Sequence, residues 1–207
     1  MIALLGKMRK QMNGAVADAM RYYGKDYGLN YGVSLPTVRS IARSEEQDHE
    51  FALYLYSQQV RELKLAAMHI AQAELLDVEH ASTWEQGLIN SEIAEECAFA
   101  LLRHSAQLKD IFRLWIAGEN MFATYAALMA MARSQFLSKC EVEKISAIVK
   151  NYPDSRPIAQ GAVALLDTAY QHNELQSDVR NVLASLSPCP TADYISDEMS
   201  WRIPETE

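Results

Sequence analysis

The sequence predicts an all-α protein built as a right-handed superhelix, a solenoid of about six antiparallel helix pairs. Three observations carry this expectation. Ala, Leu and Met are frequent, whereas the 207 residues include only 8 Gly and 6 Pro, a balance that favours helix over sheet. Apolar residues recur at spacings of three and four along most of the chain, and no segment alternates as a half-buried strand would. The helical segments follow one another as short-turned pairs with a period of roughly 35–40 residues, which indicates an array of HEAT or armadillo type. An irregular helical bundle is the competing arrangement on pattern alone.

Each element has its own justification. In Met1 to Tyr23 the residues Leu4, Met8, Met12, Val16, Ala19 and Tyr23 form one apolar stripe. Gly24, Gly28 and Gly32 break it. Ser34 is the N-cap and Pro36 a first-turn proline of a helix from Leu35 to Arg43. On that helix Val38, Ile41 and Ala42 lie to one side, with Arg39 and Arg43 on the other. Asp48 caps the next helix, which runs to Tyr56. A break at Ser57-Gln58-Gln59 precedes an Ala- and Leu-rich helix from Val60 to Leu76. A further helix covers Ser82 to Ile89, and Asn90 or Ser91 caps a long one ending at His104. Gln107 to Ile116 ends near Gly118. Asn120 to Arg133 is apolar all round, as a central buried helix would be. Ser138 to Val149, Pro157 to Tyr170 and Ser177 to Leu186 complete the set.

After residue 187 the composition changes. The expected organisation is a repeat domain over 1–187 and an acidic, Pro-containing tail over 188–207. Pro188, Pro190 and Pro204 oppose long helices there, and Asp193, Asp197, Glu198, Glu205 and Glu207 make the segment acidic. Tyr194, Ile195, Met199, Trp201 and Ile203 give it apolar character. It either packs back over the last helices, meets a partner or forms a partly disordered terminus.

Composition also excludes several functions. Cys97, Cys140 and Cys189 are far apart, form no CxxC and read as reduced thiols. The histidines are scattered, so no metal site is expected, and no cofactor. No apolar run approaches the roughly 18 residues that span a bilayer. The start is briefly apolar and then basic at Lys7-Met8-Arg9-Lys10, the reverse of a secretory signal, so a cytoplasmic location without membrane contact is expected. The net charge of −8 opposes nucleic-acid binding over the whole surface while leaving room for a local basic face.

Against that background, Tyr31-Gly32-Val33-Ser34-Leu35-Pro36-Thr37-Val38-Arg39-Ser40-Ile41-Ala42-Arg43 resembles an early signature of the DNA alkylation repair (AlkD-like) family, HEAT-like repeat alkylpurine DNA glycosylases. Leu53-Tyr54-Leu55-Tyr56 with Val60 to Ala67, and Trp115 before Asn120, resemble two further family segments over roughly residues 20–170. The resemblance implies an array of HEAT-like pairs and hydrolysis of the N-glycosidic bond of cationic alkylpurines. In such chemistry an aspartate supports the developing cation, tryptophans pack on the sugar, and an arginine holds phosphate.

The family's Trp-Asp-x-Val-Asp segment corresponds here to Ser91-Glu92-Ile93-Ala94-Glu95. Its tryptophan is missing, and Glu95 replaces the second aspartate as the candidate catalytic carboxylate. The extra methylene displaces the carboxylate by about 1 Å, a misplacement that costs rate heavily. The family's phosphate-holding arginine would fall near Thr124-Tyr125, and a late tryptophan near Ala164. Excision is therefore expected to be weak or absent.

The residues assigned to DNA binding are Arg39, Arg43, Lys7 and Lys10; each also reads as a solvated face, with Arg43 beside Glu46. Glu92, Glu95 and Glu96 read equally as first-turn acids favoured by a helix dipole. Arg61 and Lys64 are expected at the surface, and Trp84 and Trp115 in the core rather than against a base. Tyr22, Tyr23, Tyr27 and Tyr31 either line a groove or staple the first helices together. Two functions follow. One is an alkylation-repair protein that recognises or excises alkylated bases in duplex DNA. The other is a non-catalytic HEAT-repeat scaffold that takes a protein on its concave face.

Overall fold

The computed structural model describes residues 1–24 and 27–203. The described residues form helices joined by short turns and no strand; one isolated parallel bridge links Leu29 to Val60. The chain divides into two compact units, Met1–Ala106 and a second beginning at Gln107.

In the first unit, α1 (Ile2–Arg9) and α2 (Gly14–Tyr22) replace the single helical pattern expected over Met1 to Tyr23. The break is held at Asn13, by a local cap and by a bond from the later loop. The Asn13 side chain caps α2 by accepting from the Val16 N–H, while its own N–H donates to the Tyr31 carbonyl at 2.8 Å. Leu4 and Met8 are buried, and Met12 is left exposed by the turn.

Gly24, Gly28 and Gly32 all have positive φ, and Gly32 shows why. At φ +68°, a Cβ there would lie 2.1 Å from the Asn13 carbonyl oxygen, so only glycine lets the loop pass this close to α2. Ser34 caps α3 (Leu35–Ala42), with Pro36 in its first turn, and Asp48 caps α4 (His49–Tyr56). Helix α5 (Arg61–Ile70) forms a hairpin with α4 and packs on α3. Every α5 residue from Arg61 to Met68 is buried. The pattern expected to continue to Leu76 ends at Ala71, where the backbone turns extended.

Helix α6 (Ala81–Gln86) sets Trp84 against Tyr56 with ring centroids 4.6 Å apart, and the Tyr56 hydroxyl donates to the Trp84 carbonyl. Asn90 caps α7 (Ser91–Glu96). The long helix expected to reach His104 does so irregularly. It widens to a π-helical turn over Cys97–Leu101 and tightens to 3₁₀ geometry over Leu102–His104.

The second unit opens with α8 (Leu108–Ala117) and α9 (Met121–Met131), a hairpin capped at Asn120. Helix α9 is buried nearly all round, matching its uniform apolar sequence. Two short helices, α10 (Lys139–Glu143) and α11 (Ile145–Asn151), meet at Lys144 in place of one continuous helix. Ser155 caps α12 (Arg156–Tyr170), which packs on α9. Their approach is close at Gly161, where a Cβ would sit 3.0 Å from that of Leu128.

Helix α13 (Gln176–Ser185) and then α14 (Pro190–Ser200) follow. Pro190 occupies the first turn of α14, where its missing N–H and fixed φ favour a helix start. Ile195 and Met199 of α14 are buried and the helix packs on α12, whereas Trp201 is exposed. Pro204, Glu205 and Glu207 lie outside the described residues.

Candidate functional site

The charged residues nearest the glycine-turn segment are buried rather than displayed. Arg61 opens α5 with only 1 % of its side chain exposed. Its Nε and Nη2 donate to the two carboxylate oxygens of Glu92 at 2.8 and 2.5 Å. Its Nη1 donates to the Val33 carbonyl at 2.9 Å and to Glu62 at 3.1 Å. The buried Glu62 carboxylate in turn accepts the backbone N–H groups of Tyr31 and Val33, each at 3.2 Å. Tyr27 covers the assembly, donating its hydroxyl to Glu92 at 2.5 Å, with the guanidinium over its ring.

This arrangement is a bidentate Arg–carboxylate pair with its remaining hydrogen bonds satisfied, the condition under which a buried charge is tolerated. Burial alone would lower the Arg61 pKa, but the hydrogen bonds and charge of Glu92, with the charges of Glu62 and Tyr27, together outweigh it and raise the value. Burial, reinforced by Glu92, pushes the Tyr27 phenol well above its ordinary range.

A second cluster joins α7 to α3 and α5. Glu96, one turn after Glu92, accepts from Arg39 Nε at 2.9 Å and Nη2 at 2.6 Å, and it also contacts His69 Nε2. Burial would raise the Glu96 carboxyl, but hydrogen bonds from His69 and Arg39 more than reverse this and hold it down at about 2. Such a carboxylate stays ionised across the physiological range and makes a poor general base.

The surface of α3 carries the residues that sequence reasoning assigned to DNA. Arg39 and Arg43 line one shallow depression of about 490 Å³ with Pro36, Ser40 and Ser44. Arg39 is part-exposed there although its guanidinium is tied to Glu96. Arg43 is exposed. The expected Arg43–Glu46 proximity gives no ion pair among the described residues. Instead Lys7 pairs with Glu45 at 2.5 Å, holding α1 to the turn after α3. Lys10 ends α1 on the exposed surface. Glu95 is half-buried on α7, between the two arginine-bound glutamates.

The other candidates divide cleanly. Trp84 and Trp115 are fully buried and offer no face to a base. Thr124 and Tyr125 are buried within α9, and Ala164 is half-buried on α12. The tyrosine cluster splits: Tyr27 is core, Tyr31 is half-buried under Arg9, and Tyr22 and Tyr23 are exposed.

The surface expectation for Arg61 and Lys64 is overturned. Arg61 belongs to the buried cluster, and Lys64 donates to the Tyr56 carbonyl with its ammonium over that ring. Their burial follows from α5 lying between its neighbours, where no helical face reaches water. A signal for this clustering was present in the spacings. Glu92 and Glu96 are four apart on one helix face, and Arg61 and His69 are eight apart on one face of α5. Among the described residues no group of three His, Cys, Asp or Glu could hold a metal ion, and no helix is long and apolar enough to cross a membrane.

Residues 4–175 match the model of a family described as DNA alkylation repair enzyme. A search for similar curated proteins finds no match. A solved structure superposes with a TM-score of 0.72 at 14% identity, over 96% of this chain and 93% of the other. That protein is described as one of a new family related to the HEAT-like repeat DNA glycosylases with affinity for branched DNA structures. At this identity the likeness shows the fold, and the fold is the HEAT-like one that the repeat period indicates.

Proposed function

The chain belongs to the DNA alkylation repair enzyme family, and from that premise we propose that it binds DNA through backbone contacts and does not excise alkylpurines. One observation carries the reading: on α7, where the resemblance puts the chemistry, Glu92 and Glu96 are each bound by an arginine inside the fold. A carboxylate already neutralised by a guanidinium cannot supply the full field that a developing oxocarbenium needs.

Glu95 remains at the position of the family's catalytic aspartate, but position 91 is a serine and the tryptophans Trp84 and Trp115 are sealed in the core. Nothing aromatic from these positions can hold the deoxyribose against Glu95, and poor positioning costs orders of magnitude in rate. Binding falls to Arg43 with the neighbouring Ser40 and Ser44, supported by Lys10, while Arg39 and Lys7 are shared with Glu96 and Glu45. An exposed guanidinium backed by neighbouring hydroxyls suits the chemistry of a phosphate backbone. The affinity of the structural relative for branched DNA supports the same class of ligand for this chain.

The test pairs binding with chemistry. Gel-shift titrations on branched and linear duplex DNA should give an affinity that falls with salt, by a slope of about 0.9 per phosphate contact, and Arg43→Glu should weaken binding and flatten that slope. Duplex carrying 7-methylguanine should release no base above the uncatalysed rate. Base release that disappears in Glu95→Gln would overturn the non-excising reading, and an affinity without salt dependence would overturn the phosphate contacts.

A further inference from the structure

The most unusual surface of the molecule lies at its beginning. The described residues of 1–43 include six cations, Lys7, Arg9, Lys10, Arg21, Arg39 and Arg43, and one anion, Asp18, a balance of +5 within a chain of −8. Charge separation of this kind along a sequence marks a segment that meets a polyanion. Lys7, Arg21 and Arg39 each have a carboxylate partner, at Glu45, Asp18 and Glu96. Arg9, Lys10 and Arg43 stand outside the ion pairs formed by the described residues and lie on α1 and α3, which pack together.

The same segment exposes apolar side chains that the fold does not use. Helix α2 buries only Ala17. Tyr22 and Tyr23 close it with 84% and 77% of their surfaces in solvent. Their rings meet edge to face, with centroids 5.3 Å apart and planes at 81°. Gly24, in the left-handed region, ends the helix just beyond them. Single exposed hydrophobes are ordinary, but an adjacent aromatic pair on the one strongly basic segment of an acidic chain is not. Aromatic faces beside cations fit unpaired nucleotides: the bases stack on the rings while the cations follow the phosphates.

We propose that Tyr22 and Tyr23 form a stacking platform for unpaired nucleobases, so that this protein recognises DNA where a strand leaves the duplex. The proposal rests on the DNA-binding reading above and adds the surface that reads an unpaired strand. A fully paired helix keeps its bases stacked on one another and offers these rings nothing but its backbone. A fork or branch point supplies free bases for the rings, and its phosphates attract the surplus cations of the same segment, Arg9, Lys10 and Arg43. The edge-to-face packing leaves one ring face open at the pair, and stacking on it is indifferent to base identity.

The experiment compares the full chain with Tyr22→Ala/Tyr23→Ala on two fluorescent DNAs, a fork with an unpaired thymidine arm and a fully paired duplex of equal length. The double variant should bind the fork on the order of tenfold more weakly and the duplex nearly as well as before. Tyr22→Phe/Tyr23→Phe should keep the fork affinity, because the rings and not the hydroxyls carry the stacking. Circular dichroism confirms that the helices persist; if the double Ala variant loses them, the two single Ala variants make the same comparison. Unchanged fork binding, or equal loss on both DNAs, overturns the stacking platform while leaving DNA binding intact. Failure of the unaltered protein to bind either DNA overturns the DNA-binding reading itself, and the platform with it.

Discussion

Replacing Arg61 by alanine removes the donor at the centre of the first unit. Its guanidinium makes four N–H bonds, two to Glu92, one to Glu62 and one to the Val33 carbonyl. Without it, Glu62 keeps only the backbone donors of the loop, and Glu92 keeps the Tyr27 hydroxyl among these partners. Breaking one side of a buried ion pair costs about 3–5 kcal/mol, because the remaining charge is left uncompensated. Against a total stability of about 5–15 kcal/mol this is a large fraction. With an m-value of about 2 kcal/mol per molar urea, the unfolding midpoint should fall by about 1.5–2.5 M. Urea titration followed by far-ultraviolet circular dichroism measures it. The paired replacement Arg61→Leu/Glu92→Leu should lose less than the two single changes together, since it removes both charges at once. An Arg61→Ala protein within about 1 kcal/mol of the unaltered chain, or a strictly additive cycle, would refute the reasoning, because a solvated pair behaves that way.

Two further outcomes follow from the same structure. Glu96 has a folded pKa of about 2, below its ordinary value of 4.5, so its contribution is present above about pH 4.5 and is lost as pH falls towards 2. The loss should come to about 2 kcal/mol after allowing for the solvent-facing Arg39 side, and Glu96→Gln should flatten the acid limb of a stability–pH curve measured by denaturant titration. Gly32→Ala places a Cβ against the Asn13 carbonyl at a positive φ, and thermal unfolding should show a loss of about 2–3 kcal/mol, whereas the same change at the unstrained Gly6, whose Cβ would meet open space, should be close to neutral.

Most local structure is legible in the sequence. Ser34 and Asp48 each cap the helix they were expected to cap, and Asn90 is the cap of the Asn90/Ser91 alternative, because a cap is decided by a side chain and an N–H two or three residues away. The glycine turns were legible for a related reason: a positive φ is a property of one residue. The uniform apolar sequence of α9 announced its buried place. The failures were also physical. The stripe through Met1 to Tyr23 concealed a break at Asn13 because the bond that holds the break comes from Tyr31, across the fold. The tail prolines read as helix breakers, yet Pro190 sits in the one turn where proline favours a helix.

Sequence alone determined the class of this protein: helix pairs in a HEAT-like array, the turn and helix start at Tyr31–Arg43, and membership in a DNA alkylation repair family. Those properties are set by periodicity and by neighbours a few residues apart. Tertiary structure decided which charges are available. Arg61 meets Glu92 across 31 residues and Arg39 meets Glu96 across 57, so these two acids on α7 are committed to arginines. No local pattern fixes such a partner, because a charged side chain on a helix reads the same whether it faces water or a guanidinium. Burial makes the difference: out of water a charge must find its counterion or cost the fold several kcal/mol.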